Sequence, residues 1–377
     1  MRTWLREKLQ GVLHRIEAAT PVPKRDPCDE LAHLRSQLAA IVEDRKTLAA
    51  MLERHPDSFH RSIASGTTAH ADSIDERADQ LKTRITALET RLDGSLGDTV
   101  MSQPDVKRAH LIIGGFPLGA LAGHDMDYVR HRILALLQEF PSVRTSVASD
   151  YQDIERWLPG TDLLITYTAG PFANDEQADT IEQWMAGRGR WFALHGSSGG
   201  KAIKITTPDG PRKKMVKARH HDAIGGFFLN HPPIRRFTVK VEDAQHPITQ
   251  GLPAQFDVAD ELYMVEVQDP STTHVLLTTA LDHDPSPPGF GFVYDADTSL
   301  LSDGHTRVLG YERTHGEGGV TYIALGHCHH PQSNTQPRVD ESISSGGTVP
   351  NPFRGSWEDD ALPALIRNGI RWGVRAT

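Results

Sequence analysis

The sequence predicts an α/β protein, a doubly wound parallel sheet preceded by a helical extension. Three observations carry this reading. Between residues 109 and 194, short apolar runs alternate with stretches of helical periodicity, the pattern of parallel strands joined by crossover helices. The run Arg190-Trp191-Phe192-Ala193-Leu194 stops abruptly at His195, and Gly196-Ser197-Ser198-Gly199-Gly200 follows, as expected of a buried strand entering a tight strand-to-helix turn. The first hundred residues, by contrast, are rich in charge and alanine, poor in glycine and aromatics, and periodic throughout.

Residues 1–100 therefore read as a helical hairpin or short coiled coil and residues 101–377 as the α/β domain. Leu5, Leu9, Val12 and Ile16 recur at spacings of four and three, as do Leu31, Leu34, Leu38, Ile41, Leu48 and Leu52, with Arg45 breaking the seam. A third segment continues with Ile74, Ala78, Leu81, Ile85, Leu88 and Leu92. Pro21, Pro23 and Pro27 divide the first two segments. Such narrow apolar faces need a partner surface, so a homo-oligomer formed through these helices is expected.

Beyond Ala109 the elements follow in order. His110-Leu111-Ile112-Ile113 is a strand running into the turn Gly114-Gly115-Phe116-Pro117, and Met126, Val129, Ile133, Leu134 and Leu137 form one face of a helix. Val143 to Ala148 and Leu163 to Tyr167 are strands, and Asn174 caps a helix reaching Ala186. The strand ending at His195 comes next. Ala223 to Pro233 reads as an irregular loop over the sheet edge, and Arg212-Lys213-Lys214 as a solvated loop. Further strands are expected at Phe237 to Val241, Val275 to Thr279, Arg307 to Tyr311 and Val320 to Leu325. Gln332 to Gly355, rich in Ser, Pro and Gly, reads as a mobile surface loop, and a helix from Leu362 to Trp372 closes the domain.

Composition limits the function classes. The formal net charge is -9 and the one basic cluster is local, which argues against a nucleic-acid partner. No stretch approaches the roughly 20 apolar residues of a membrane span, and the charged amino terminus lacks the apolar core of a signal peptide. Cys28 and Cys328 are the only cysteines, which fits a reducing compartment, and a cytoplasmic protein is expected.

Five segments, in order, carry a resemblance. They are the His195 turn, Gly225-Gly226-Phe227-Phe228-Leu229-Asn230-His231-Pro232, His246-Pro247-Ile248-Thr249-Gln250-Gly251-Leu252-Pro253, Asp260-Glu261-Leu262-Tyr263 and Ala324-Leu325-Gly326-His327. Over roughly residues 109–374 the chain resembles ThuA-like domains, named for trehalose utilisation. The resemblance implies a class I glutamine amidotransferase-like, flavodoxin-like sheet and a role in sugar metabolism, with 3-keto sugars linked to some members. Glutamine hydrolysis itself does not fit the residues. It needs an activated thiolate at the turn, where this chain has His195-Gly196-Ser197, and His329 stands where a histidine-x-glutamate pair would need its carboxylate.

His195 and His327 each end a strand, and neutral imidazole exchanges protons near pH 7. We read His195 as a general base, Glu261 as an acid or orienting carboxylate, and His327 as a second acid/base or an oxyanion partner. The alternative for Glu261 is a carboxylate bonded to backbone at a strand start, and for His327 a satisfied buried histidine. Phe116, His124, Gly196, Ser197 and His231 are expected to line the pocket of a small sugar substrate, with Asp125 capping the following helix. No cofactor motif is present. The spacing of His327, His329 and His330 matches neither a helical zinc pair nor a Cys-x-x-Cys site, so no metal is assigned; were one to bind, His195, Glu261 and His327 would be its ligands.

Overall fold

The structure, a computed structural model, describes residues 34–40, 78–86, 106–115, 123–208 and 210–375. The chain divides into two compact units, Met1–Gln103 and Pro104–Thr377. In the first, residues 34–40 and 78–86 are helical, and Leu34, Leu81 and Ile85 are buried together with Leu38 packed against them. These four are seam positions of the sequence pattern. Ala78 is the one further seam position described, half-buried in the second helix; the others, together with Cys28 and the expected pocket residue Phe116, lie outside the described residues.

The second unit begins with β1 (Lys107–Gly114), α1 (Met126–Leu137) and β2 (Val143–Ala148). A short helix α2 (Ile154–Trp157) leads to β3 (Leu163–Thr168), α3 (Asp175–Ala186) and β4 (Arg190–Leu194). Strands β1, β3 and β4 are apolar and almost wholly buried, as strands covered on both faces must be. Asp125 caps α1 by accepting from the Tyr128 N–H, and Asn174 with Gln177 forms a capping box on α3. The order β2-β1-β3-β4 sends the β1 and β3 crossovers in opposite directions, so right-handed connections put α1 and α3 on opposite faces.

After β4 comes a single turn of 3-10 helix, His195–Ser198, and not an α-helix. The chain then makes a separate antiparallel hairpin, β5 (Lys201–Thr207) and β6 (Gly210–Val216), so Arg212, Lys213 and Lys214 lie on a strand and not in a loop, with Lys213 exposed and Arg212 and Lys214 half-buried against Phe290 and Asp295. The 223–233 segment is also more regular than its glycines and prolines suggest. It contains the end of α4 (His220–Ile224) and β7 (Gly226–Asn230), which pairs with a later strand.

The remaining elements are β8 (Arg235–Val241), β9 (Gln255–Asp260), β10 (Met264–Val267), β11 (Thr273–Ala280), β12 (Thr306–His315), β13 (Gly318–Ile323) and α5 (Ala361–Val374). The large sheet has the order β2-β1-β3-β4-β13-β12-β11-β8-β9, and β13 joins β4 in parallel, so His195 and the turn after β13 share one edge. The sheet then continues antiparallel through β12, β11, β8 and β9. The cause is local: a two-residue turn with Gly316 at φ 60 joins His315 to Gly318, and so short a link permits only antiparallel pairing. Residues 332–355 form turns tied to the site: His329 and Phe353 exchange two backbone hydrogen bonds, and Gln336 donates to Glu261.

Candidate functional site

β4 delivers His195 to the carboxyl edge, and the backbone there turns sharply, with His195 at φ 43. A β-carbon in this left-handed region costs roughly 1–2 kcal/mol, so surrounding contacts must hold it. Several do. The His195 carbonyl accepts from the Tyr322 hydroxyl at 2.8 Å, and its ring stacks on Tyr263 at 4.1 Å between centroids. Gly196 has to be glycine, since a β-carbon would lie 2.3 Å from the Thr168 carbonyl oxygen.

The hydrogen bonds fix the tautomers. His195 Nδ1–H donates to the Ala324 carbonyl at 2.7 Å, which leaves Nε2 as a lone pair, fully buried and without a hydrogen-bond partner. His329 Nε2–H donates to the Pro350 carbonyl at 3.0 Å, so its Nδ1 accepts from His327 Nε2–H, also at 3.0 Å. His327 Nδ1 is consequently a second inward lone pair. It stands 3.1 Å from His124 Nδ1 and 3.1 Å from Glu261 Oε2. The same carboxylate oxygen is 3.3 Å from His195 Nε2, while Glu261 Oε1 is 3.5 Å from His231 Nε2. His231 in turn donates from Nδ1 to the Pro232 carbonyl at 2.8 Å.

Three expected residues, His195, Glu261 and His327, thus converge, and His124 completes the group. His231 faces the other oxygen of Glu261. The Ser197 hydroxyl is turned into the sheet, where it is buried and bonded to Thr166, so it is not available as a nucleophile or a substrate contact. Charge is tightly managed. Burial pushes the Glu261 carboxyl upward, but the imidazoles of His231, His327 and His195 around it outweigh that and hold the group well below the usual carboxylate range. Burial depresses His327 to about 4 and His124 well below the ordinary imidazole value, so both rings are neutral near pH 7.

Sequence reasoning missed the support. Asp260 is fully buried and accepts the N–H groups of Glu261, Gly326 and His327 at 2.8, 2.8 and 2.9 Å, together with the Ser356 hydroxyl. Burial raises its carboxyl to about 6, against the hydrogen bonds it accepts. The signal was an acidic pair, Asp260-Glu261, of which adjacent positions on extended chain must face opposite ways. Cys328 points away from the cluster, with Sγ 3.8 Å from the Asp125 carbonyl oxygen, and burial pushes its thiol up to about 12. A second group, His246, His274 and Glu312, lies elsewhere. There His246 Nδ1 accepts from the Ile248 N–H, so its Nε2 proton is given to Glu312 at 2.9 Å.

Comparison with known proteins adds the following. A ThuA-like protein of Bacteroides uniformis is similar over 74% of this chain and 96% of its own, at 16% identity and a TM-score of 0.48. A ThuA-like protein of Parabacteroides merdae is similar over 71% and 90%, at 14% identity and a TM-score of 0.42. A glutamine amidotransferase of Thermotoga maritima is similar over 72% and 99%, at 9% identity and a TM-score of 0.36. No curated protein matches the sequence. The ThuA family model, described as trehalose utilisation, matches residues 129–347, more than half of the chain and the part that carries His195, Glu261 and His327; the chain therefore belongs to the ThuA family.

Proposed function

We propose that the chain serves carbohydrate utilisation by acid/base chemistry on a keto-sugar or glycoside bound over His195, and that it is not a glutaminase. Family membership supports the carbohydrate class. The single observation that carries the chemistry is the convergence of two unprotonated imidazole nitrogens, on His195 and His327, upon one oxygen of the buried Glu261 at 3.3 and 3.1 Å. Such a group takes a proton from a substrate hydroxyl in a water-poor setting and can then return it to a neighbouring oxygen.

In this reading the amides of Gly196 and Ser197 donate to the substrate's carbonyl oxygen, while the lone pairs of His195 Nε2 and His327 Nδ1 and the Glu261 carboxylate accept from its neighbouring hydroxyls. His231, whose Nδ1 proton is committed to Pro232, takes the proton from the neighbouring carbon at Nε2. Returning that proton to the former carbonyl carbon, while His195 or His327 takes the proton of the neighbouring hydroxyl and passes it to the former carbonyl oxygen, gives isomerisation; expelling the glycosidic oxygen from the next carbon, with protonated His231 handing it the abstracted proton, gives cleavage and leaves an enone. Against glutamine hydrolysis stands the thiol: Cys328 is buried, strongly protonated and directed away from the cluster.

The test is proton NMR of 3-keto-glycosides in deuterated water with the full chain. Loss of the signal beside the carbonyl, with or without product, should depend on the protein and vanish in His195→Ala and His231→Ala. If the folded wild-type chain neither exchanges nor consumes any of these sugars, the acid/base reading falls.

A further inference from the structure

We infer that His124, His195, Glu261 and His327 form a binding site for one divalent first-row transition metal ion, with zinc the best fit to three imidazoles and one carboxylate. The four donor atoms lie within 4.8 Å of one another. Donors about 2.1 Å from a common ion stand about 3.0 Å apart along octahedral edges and about 3.4 Å apart along tetrahedral ones. The separations His124 to His327, His327 to Glu261 and Glu261 to His195 are 3.1, 3.1 and 3.3 Å. They match the edges of a coordination polyhedron.

Tautomers give the independent argument. A ligating histidine donates its remote N–H to a carbonyl or another acceptor, which aims the lone pair of the other nitrogen at the metal. His195 does this through Ala324, and His327 through His329, itself fixed by Pro350. The result is a buried His195 Nε2 that accepts nothing and donates nothing, an arrangement that costs free energy unless a cation takes the lone pair. Facing lone pairs on His195 and Glu261 likewise repel without one.

The second group of potential ligands shows what is missing elsewhere. His246 has its Nδ1 lone pair occupied by a backbone N–H and its Nε2 proton directed at Glu312, so it would have to become an imidazolate to ligate. Three nitrogens and one oxygen suit zinc, cobalt, nickel or iron(II) far better than calcium or magnesium. A cation there supplies a Lewis acid for an oxygen of the bound ligand. That last consequence rests on the carbohydrate reading; metal binding does not.

The experiment uses the full chain, stripped with chelator, dialysed, checked for folding by circular dichroism, and titrated with Zn2+ by calorimetry and with Co2+ by visible absorption. One equivalent should bind, with the intense cobalt bands of a low-coordinate nitrogen and oxygen site. His195→Gln and Glu261→Gln should weaken binding by at least ~100-fold, and His329→Leu, which spares every ligand, by roughly 10- to 100-fold. His246→Gln should bind as wild type does. Absence of saturable binding to the folded wild-type chain overturns the assignment, as does binding that His195→Gln leaves unchanged or that His246→Gln abolishes. Sugar exchange by the metal-free chain would instead show the acid/base reading holding without the ion. Stoichiometric metal on a chain inert to every keto-sugar would leave the metal site standing and remove that reading.

Discussion

Asp260 accepts the backbone N–H of His327 at 2.9 Å, and that bond couples two strands that are distant in sequence. The same carboxylate holds the N–H of Glu261 from its own segment and that of Gly326 from the turn after β13. Glu261 and His327 therefore keep their 3.1 Å separation because one neighbouring side chain grips both backbones. Neither residue is positioned by its own rotamer alone. The site is built as a clamp on main chain, with the reactive side chains projecting from it.

Replacing that clamp should be costly. Asp260→Asn keeps the volume but loses the charge and one accepting oxygen, orphaning at least one buried donor at about 1–3 kcal/mol, more where the bond was to a carboxylate. We expect the unfolding free energy to drop by about 3 kcal/mol in urea titrations. A loss under about 1 kcal/mol would mean that the N–H groups find other partners and that Asp260 is not the clamp.

Acid should weaken the fold through His110, far from the cluster. Its ring is buried on β1, bonded through Nδ1 to Ser146 at 2.7 Å and stacked on Trp157, with Nε2 lacking a partner. Burial lowers it to about 4. The unfolded chain, near 6.5, binds a proton first as pH falls, so stability declines between about 6.5 and about 4 and is then insensitive to this group. From pH 7 to pH 5 the contribution is about 2 kcal/mol. Urea unfolding at the two pH values should show His110→Gln losing about 2 kcal/mol less than wild type; an equal loss would move the effect to other buried histidines such as His220.

Much of the parallel half of the sheet was legible because its strands are covered on both faces and so are apolar without interruption: Leu111-Ile112-Ile113, Leu163-Leu164-Ile165 and Trp191-Phe192-Ala193-Leu194 admit few other readings. The histidines ending two such strands pointed to one edge for the same reason. What escaped was set by partners that spacing does not record. His124 reads as a pocket residue, yet its place beside His327, 203 positions away, depends on the loop before α1 meeting the turn after β13, where the Asp125 N–H donates to the Cys328 carbonyl. His195, Glu261 and His327 were legible as the residues a metal would take, but His124 as a fourth and the close spacing of all four were not, because they come from four separate segments, none with a ligand spacing of its own. The β5–β6 hairpin is legible in principle, since Pro208-Asp209-Gly210 between two alternating runs is a turn signal, but its consecutive basic residues have the composition of a solvated loop.

A final test concerns how α5 meets the strand that carries His195. Gly369 lies against Phe192 of β4, and a β-carbon there would come within 2.5 Å of the fully buried ring. In an exposed helix interior, glycine to alanine gains up to about 1 kcal/mol through backbone entropy. Here the ring cannot retreat, because β4 is central and paired on both sides, by β3 and β13. Overpacking of this kind costs about 1–3 kcal/mol and should outweigh the entropic gain. Gly369→Ala is expected to destabilise the fold by about 1–2 kcal/mol in urea unfolding, with any displacement of β4 passed on to His195. A more stable Gly369→Ala protein would show that helix and sheet have room to part, and that close packing behind β4 does not hold His195 in place.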